Sequence, residues 1–119
     1  MLPALMRAEK VGKKASCFDF PDADSVMLKV KEELSELCEA LANNDAAGIE
    51  EEMGDLIFSV VSLCRKIGVE PEVALNKATE KFIKRFSVLE EAVISEGKDI
   101  TKLDMIELDA IWDRIKHKV

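Results

Sequence analysis

The chain has 119 residues, of which 48% are apolar and 34% charged, with only 5 Gly, 3 Pro and no Tyr. That is the length of one domain, with enough apolar content to fold and too few turn-formers for a β-sandwich or barrel, so helices are expected. A net charge of −7 excludes the basic face of a general nucleic-acid binder, and no apolar run is long enough to span a bilayer.

Residues Leu2 to Lys14 mix apolar and basic side chains and predict a short helix. Ala15 to Asp24 is loop-like, with Pro21 and three aspartates. Asp24 or Ser25 can cap a second helix running to about Ala42, because a short side-chain oxygen satisfies free backbone N–H groups. Asn43, Asn44 and Asp45 form a polar turn. A third helix is expected from about Ala46 to Ile67, stopped by Gly68. Pro71 suits the first turn of a fourth helix to about Ser95, and Gly97 ends it. A last helix starts near Thr101 or Asp104 and runs to about Lys116. There is no repeat, linker or low-complexity tract. The expectation is one all-α domain over residues 1–119, a four-helix-bundle-like arrangement with short connections.

Periodicity gives each helix a face. On the second, Met27, Val30, Leu34, Leu37 and Leu41 share one stripe and predict the core. At about 100° per residue, Glu33 and Glu36 fall roughly 70° and 130° from its centre, so both border the core while Glu32 meets solvent. The third helix carries Ile49, Met53, Leu56, Val60, Leu63 and Ile67, with Phe58 and Val61 pointing elsewhere. A helix apolar nearly all round is buried, inside a bundle or against a partner chain. Its narrow polar strip is Glu52, Asp55, Ser59 and Ser62. On the fourth helix the stripe is Leu75, Ala78, Phe82, Phe86, Leu89 and Val93.

Missing residues narrow the chemistry. His117 is the single histidine, and it sits by the C-terminus, a poor place to pre-organise a catalytic base. Cys17, Cys38 and Cys64 are odd in number and widely spaced, which suggests free thiols in a reducing, cytoplasmic setting. The first residues lack the order of a secretory signal, in which positive charge precedes the apolar run. Neither GxGxxG nor GxxxxGK[ST] occurs. Any chemistry must rest on carboxylates, lysines and arginines.

Glu33 and Glu36 stand three apart on the second helix, and Glu52 and Asp55 three apart on the third. The short turn makes these helices antiparallel neighbours, so the two pairs can face each other. Four converging carboxylates repel unless a cation sits among them, and oxygen ligands without His or Cys select Mg²⁺ or Mn²⁺. The same pattern also fits a solvated acidic face with partners such as Lys29 for Glu32. On the fourth helix Lys81 and Arg85 share a flank of the core stripe while Lys84 points away. Trp112 and Lys116 stand four apart on the last helix. Together these groups describe a site for an anion bridged by metal.

The segments KVKEELSEL (29–37), EEMGDLIFSVVSLCRKIG (51–68) and KATEKFIKRF (77–86) resemble the MazG family of nucleoside triphosphate pyrophosphohydrolases. LPALMRAEKVGKKA near the start and LDAIWDRIKHK at the end resemble that family's C-terminal-type domain, so the likeness covers almost the whole chain. It implies a dimeric all-α fold and Mg²⁺-dependent hydrolysis of (deoxy)nucleoside triphosphates between the α- and β-phosphates, a house-cleaning reaction that yields monophosphate and pyrophosphate. By position it implies Glu33, Glu36, Glu52 and Asp55 as metal ligands, Lys81 and Arg85 on the triphosphate, and Trp112 and Lys116 on the nucleotide. Either Glu36 or Glu33 would orient or deprotonate the attacking water. Two departures stand out. Phe18-Asp19-Phe20 occurs where many relatives end in Trp, and Ala46, Ala47 and Gly48 occur where some carry a basic residue. The competing expectation is a non-catalytic helical module for dimerisation or regulation that binds nucleotide or a partner protein. No nucleic-acid or membrane partner is expected.

Overall fold

The computed structural model describes residues 2–117; Met1, Lys118 and Val119, at the ends of the expected 1–119 domain and of the LDAIWDRIKHK segment, lie outside the described residues. All regular structure among the described residues is helical: α1 (Ala4–Lys14), α2 (Ala23–Ala42), α3 (Ala46–Lys66), α4 (Pro71–Ser95) and α5 (Met105–Ile115), with 3-10 turns at Ser16–Phe18 and Ile100–Lys102. No helix is long and apolar enough to cross a membrane among these residues.

Local chemistry explains the boundaries. The cap of α2 is Asp22 rather than Asp24 or Ser25: its Oδ1 accepts from the Ser25 amide at 2.8 Å and the Ser25 hydroxyl at 2.7 Å. Ser25 is thus already inside the first turn, as a donor. Asp45 caps α3 by accepting from the Gly48 amide at 3.1 Å, and a Cβ at position 48 would collide with that carboxylate. Asp104 caps α5 through the Glu107 amide at 2.8 Å. Gly68 and Gly97 follow α3 and α4 with φ of 75° and 73°, the left-handed conformation that a side chain disfavours.

The chain forms two compact units, divided between Ala74 and Leu75. In the first, α2 packs along α3 as a helical hairpin and α1 lies on α3. In the second, Leu89 and Val93 of α4 pack with Ile111 and Ile115 of α5, flanked by Ile100, Leu103 and Trp112.

The burial pattern corrects the expected stripes. On α2 the buried residues are Val26, Glu33, Leu37 and Ala40, whereas Met27, Leu34 and Leu41 are exposed, Leu34 to 50%. On α3 only Ser59 and Val61 are buried, and Met53, Val60 and Ile67 are exposed. On α4 Leu89 and Val93 are buried, but Leu75, Phe82 and Phe86 are not. One neighbouring helix covers about half of a wide apolar stripe. The contact between α2 and α3 is turned toward Glu33, which leaves the other half of each stripe in the open.

Candidate active site

The α2–α3 hairpin brings Glu33, Glu36 and Glu52 together: one carboxylate oxygen from each lies within 4.8 Å of the others. The i, i+3 spacing on α2 puts Glu33 and Glu36 on adjoining turns of one flank, and the antiparallel partner supplies Glu52 opposite them. Glu33 is only 5% exposed and Glu36 half-buried. Lys29, one turn before Glu33, donates to Glu33 Oε1 at 2.9 Å and lies 3.5 Å from Glu32. That hydrogen bond holds Glu33 below the usual carboxylate range and raises Lys29 above its usual value. Glu36 responds the other way. The adjacent Glu52 carboxylate, with the charge of Glu33, pushes it up to about 7, since like charges this close cannot all ionise.

Two oxygens, Glu33 Oε2 and Glu52 Oε2, are buried without a hydrogen-bond partner among the described residues. A buried carboxylate oxygen left unpaired is costly, and three carboxylates against one ammonium leave an excess of negative charge. The donor set is all oxygen, so it fits a hard divalent cation. Asp55 is not within the close trio. It stands exposed one turn beyond Glu52 and lines, with Glu33 and Lys29, a cleft of about 790 Å³.

That cleft runs from the carboxylates past Phe58, Ser59 and Ser62 of α3 to the segment after α1. Its far wall is pinned by charge. Asp19 accepts two hydrogen bonds from Arg65, at 2.8 and 3.0 Å, and one from Lys66 at 3.0 Å. These donors hold the Asp19 carboxyl far below its ordinary value, and Arg65 is raised in return. Lys29 as the partner of Glu33 was open to detection from the i, i+4 spacing. The Asp19–Arg65 pair joins residues 46 apart, with no local pattern to announce it.

The remaining candidates belong to the second unit. Lys81 is exposed; Arg85 is half-buried, and its Nε is buried without a hydrogen-bond partner among the described residues, a donor suited to an anionic ligand. Phe82 stacks with Phe86 at a centroid distance of 6.0 Å and meets Trp112 at 5.7 Å. Trp112 therefore packs against aromatic and aliphatic neighbours, while Lys116 lies 3.2 Å from Asp113.

Residues 22–88 match the family model described as the MazG nucleotide pyrophosphohydrolase domain. The chain is 42% identical over 118 residues to the Thermotoga maritima nucleoside triphosphate pyrophosphohydrolase/pyrophosphatase MazG, covering 98% of this chain and 45% of that protein. It is also 42% identical over 121 residues to the Escherichia coli nucleoside triphosphate pyrophosphohydrolase, covering 98% of this chain and 46% of that one. An uncharacterized Bacillus subtilis protein, YabN, shares 34% identity over 69 residues, 58% of this chain and 14% of its own. The chain thus spans about half the length of the first two relatives. The family match takes in α2, α3 and most of α4, the helices that carry the acidic trio, Asp55, Lys81 and Arg85, and the chain belongs to the MazG nucleotide pyrophosphohydrolase family.

Proposed function

We propose that this chain hydrolyses (deoxy)nucleoside triphosphates between the α- and β-phosphates, releasing nucleoside monophosphate and pyrophosphate. The observation that carries the reading is the acidic trio of Glu33, Glu36 and Glu52, with two buried oxygens that lack a partner among the described residues. The Thermotoga and Escherichia relatives, both nucleoside triphosphate pyrophosphohydrolases by name, support it. The family match crosses the division between the two units, which supports reading residues 1–119 as one functional domain.

In this reading Glu33, Glu36, Glu52 and Asp55 hold Mg²⁺, with Mn²⁺ as a substitute. When bound, the ion supplies charge neutralisation at the phosphate oxygens and a Lewis-acid centre. The hydrogen bond from Lys29 favours the ionised form of Glu33, the form a metal ligand needs. Glu36 or Glu33 orients the attacking water and takes its proton. Lys81 and Arg85 are assigned to the triphosphate, where cationic donors stabilise charge gathering on the departing pyrophosphate. Trp112 and Lys116 are assigned to the nucleotide.

We also propose that the chain works as a homodimer or higher homo-oligomer. Met27, Leu34 and Leu41 on α2, and Met53, Val60 and Ile67 on α3, recur every seven residues and are all exposed. Such a spacing sets one exposed apolar side chain every two turns along one line of each helix, and a second hairpin of the same kind would cover both lines in a four-helix bundle. Three free cysteines support a reducing, cytoplasmic setting.

The test is pyrophosphate release from a panel of ribo- and deoxyribonucleoside triphosphates, with Mg²⁺ and with EDTA, and with the product identified as monophosphate. Metal-dependent monophosphate formation is expected. Glu33→Gln or Asp55→Asn should lower turnover by at least about a hundredfold while leaving the helical circular dichroism intact. Full activity in either variant would remove that residue from the site. Silence of the folded wild type toward every nucleotide would leave a non-catalytic helical module.

A further inference from the structure

Glu33 is the one charged side chain that is buried among the described residues, and its two oxygens have different surroundings. Oε1 accepts a hydrogen bond from the Lys29 ammonium at 2.9 Å. Oε2 is buried and has no hydrogen-bond partner among the described residues. The division comes from the helix itself. Lys29 stands one turn before Glu33 on α2, and the i, i+4 spacing sets the ammonium beside this carboxylate. The exposed Glu32 carboxylate, 3.5 Å from the same ammonium, steadies it from the solvent side.

A carboxylate with one oxygen held by an ammonium gives an incoming cation only the other. Divalent ions differ in how much that matters. Mg²⁺ is small, demands octahedral geometry and keeps several of its waters, so single carboxylate oxygens suit it. Ca²⁺ is larger, takes about six to eight oxygens and often takes both from one carboxylate. Occupation of Oε1 therefore withholds from Ca²⁺ a second oxygen that Mg²⁺ does not need. The repulsion from the ammonium acts on both ions alike, because they carry the same charge.

We infer that Lys29 is a positioning residue that keeps Glu33 a one-oxygen ligand and so selects Mg²⁺ over Ca²⁺. The inference rests on the metal-dependent hydrolase reading above and adds to it the residue that sets the choice of ion. Lys29 acts through Glu33: it stays on Oε1 while Oε2 faces the ion. Glu52 Oε2, buried and likewise without a partner among the described residues, is the matching single oxygen from α3.

Two measurements test this with the full chain and no nucleotide. The first reads Mg²⁺ and Ca²⁺ affinities by chemical-shift titration. The wild type should bind Mg²⁺ the more tightly. Lys29→Met removes a positive charge, which tightens both ions, and frees Oε1, which tightens Ca²⁺ further. The affinity ratio should therefore move toward Ca²⁺ by about tenfold, the lower end of what partners of metal ligands contribute. Lys31 is exposed and lies about 200° around α2 from Glu33, so Lys31→Met loses the same charge and should leave the ratio at its wild-type value. The second measurement needs no variant: the ¹H–¹⁵N ammonium signal of Lys29 should be visible in the metal-free wild type and survive saturation with Mg²⁺. Tighter binding of Ca²⁺ than Mg²⁺ by the wild type, an unchanged ratio in Lys29→Met, an equal change in Lys31→Met, or absence or loss of the Lys29 signal would overturn the role of Lys29 and leave the hydrolase reading standing. Failure of the folded wild type to bind either ion would overturn both.

Discussion

Glu36 and Glu33 sit one turn apart, yet their neighbours pull them in opposite directions. Lys29 donates a hydrogen bond to Glu33 and keeps it ionised, while Glu52 and Glu33 together hold Glu36 up to about 7. Between the ordinary value of 4.5 and about 7, the folded protein binds a proton at Glu36 that the unfolded chain has released. Folding is therefore favoured at the lower end of that window and weakens as pH rises through about 7. Metal reverses the trend, because it needs the carboxylate deprotonated. Thermal melts on either side of pH 7 should show the metal-free protein losing stability with rising pH and the Mg²⁺-loaded protein gaining it. Glu36→Gln should flatten both slopes. Equal slopes in wild type and Glu36→Gln would mean that the trio does not interact as its geometry indicates.

At the scale of elements, the helices owe their limits to short polar side chains and to two glycines with positive φ. Asp22, Asp45 and Asp104 each accept a backbone N–H in the first turn of the helix they precede. What fixes each helix to its neighbour is narrower. In the second unit it is Leu89, Val93, Ile111 and Ile115, all at most 5% exposed. Leu89→Ala should cost about 2–5 kcal/mol in denaturant unfolding, through lost burial and the cavity left behind. A change under about 0.5 kcal/mol, the size of an ordinary surface substitution, would show that α4 and α5 do not pack through this cluster.

The whole molecule leaves an unusual amount of its apolar stripe uncovered. Leu34, Leu41, Val60 and Ile67 are all more than two-fifths exposed, on two helices that already pack on each other. Side chains of this kind in a repeating seam mark an association surface. Leu34→Lys combined with Val60→Lys should convert a dimer or larger assembly into a folded monomer, read by sedimentation equilibrium and circular dichroism. A wild-type protein that is already monomeric at micromolar concentration would remove the oligomer from the proposal.

Much of this protein can be read directly from residue order. Helix type, the turn at 43–45, the stops at Gly68 and Gly97 and the start at Pro71 follow from local rules: periodicity, capping chemistry and the freedom of glycine. The acidic pairs were visible for the same reason, since i, i+3 spacing is a property of one helix. Which half of a stripe is buried could not be read. Periodicity marks a stripe's centre, but the depth at which α2 settles on α3 places Val26 and Glu33 inside and leaves Met27 and Leu34 outside. The separation of Asp55 from the close trio was hidden too, because i, i+3 spacing places two side chains on one flank without fixing how far each reaches toward the facing helix. The Asp19–Arg65–Lys66 anchor and the cleft beside the carboxylates arise only when residues far apart in the chain are brought within a few ångströms. Spacing along one helix is set by the backbone, whereas contact between helices is set by the packing of their surfaces, and only the folded chain decides that.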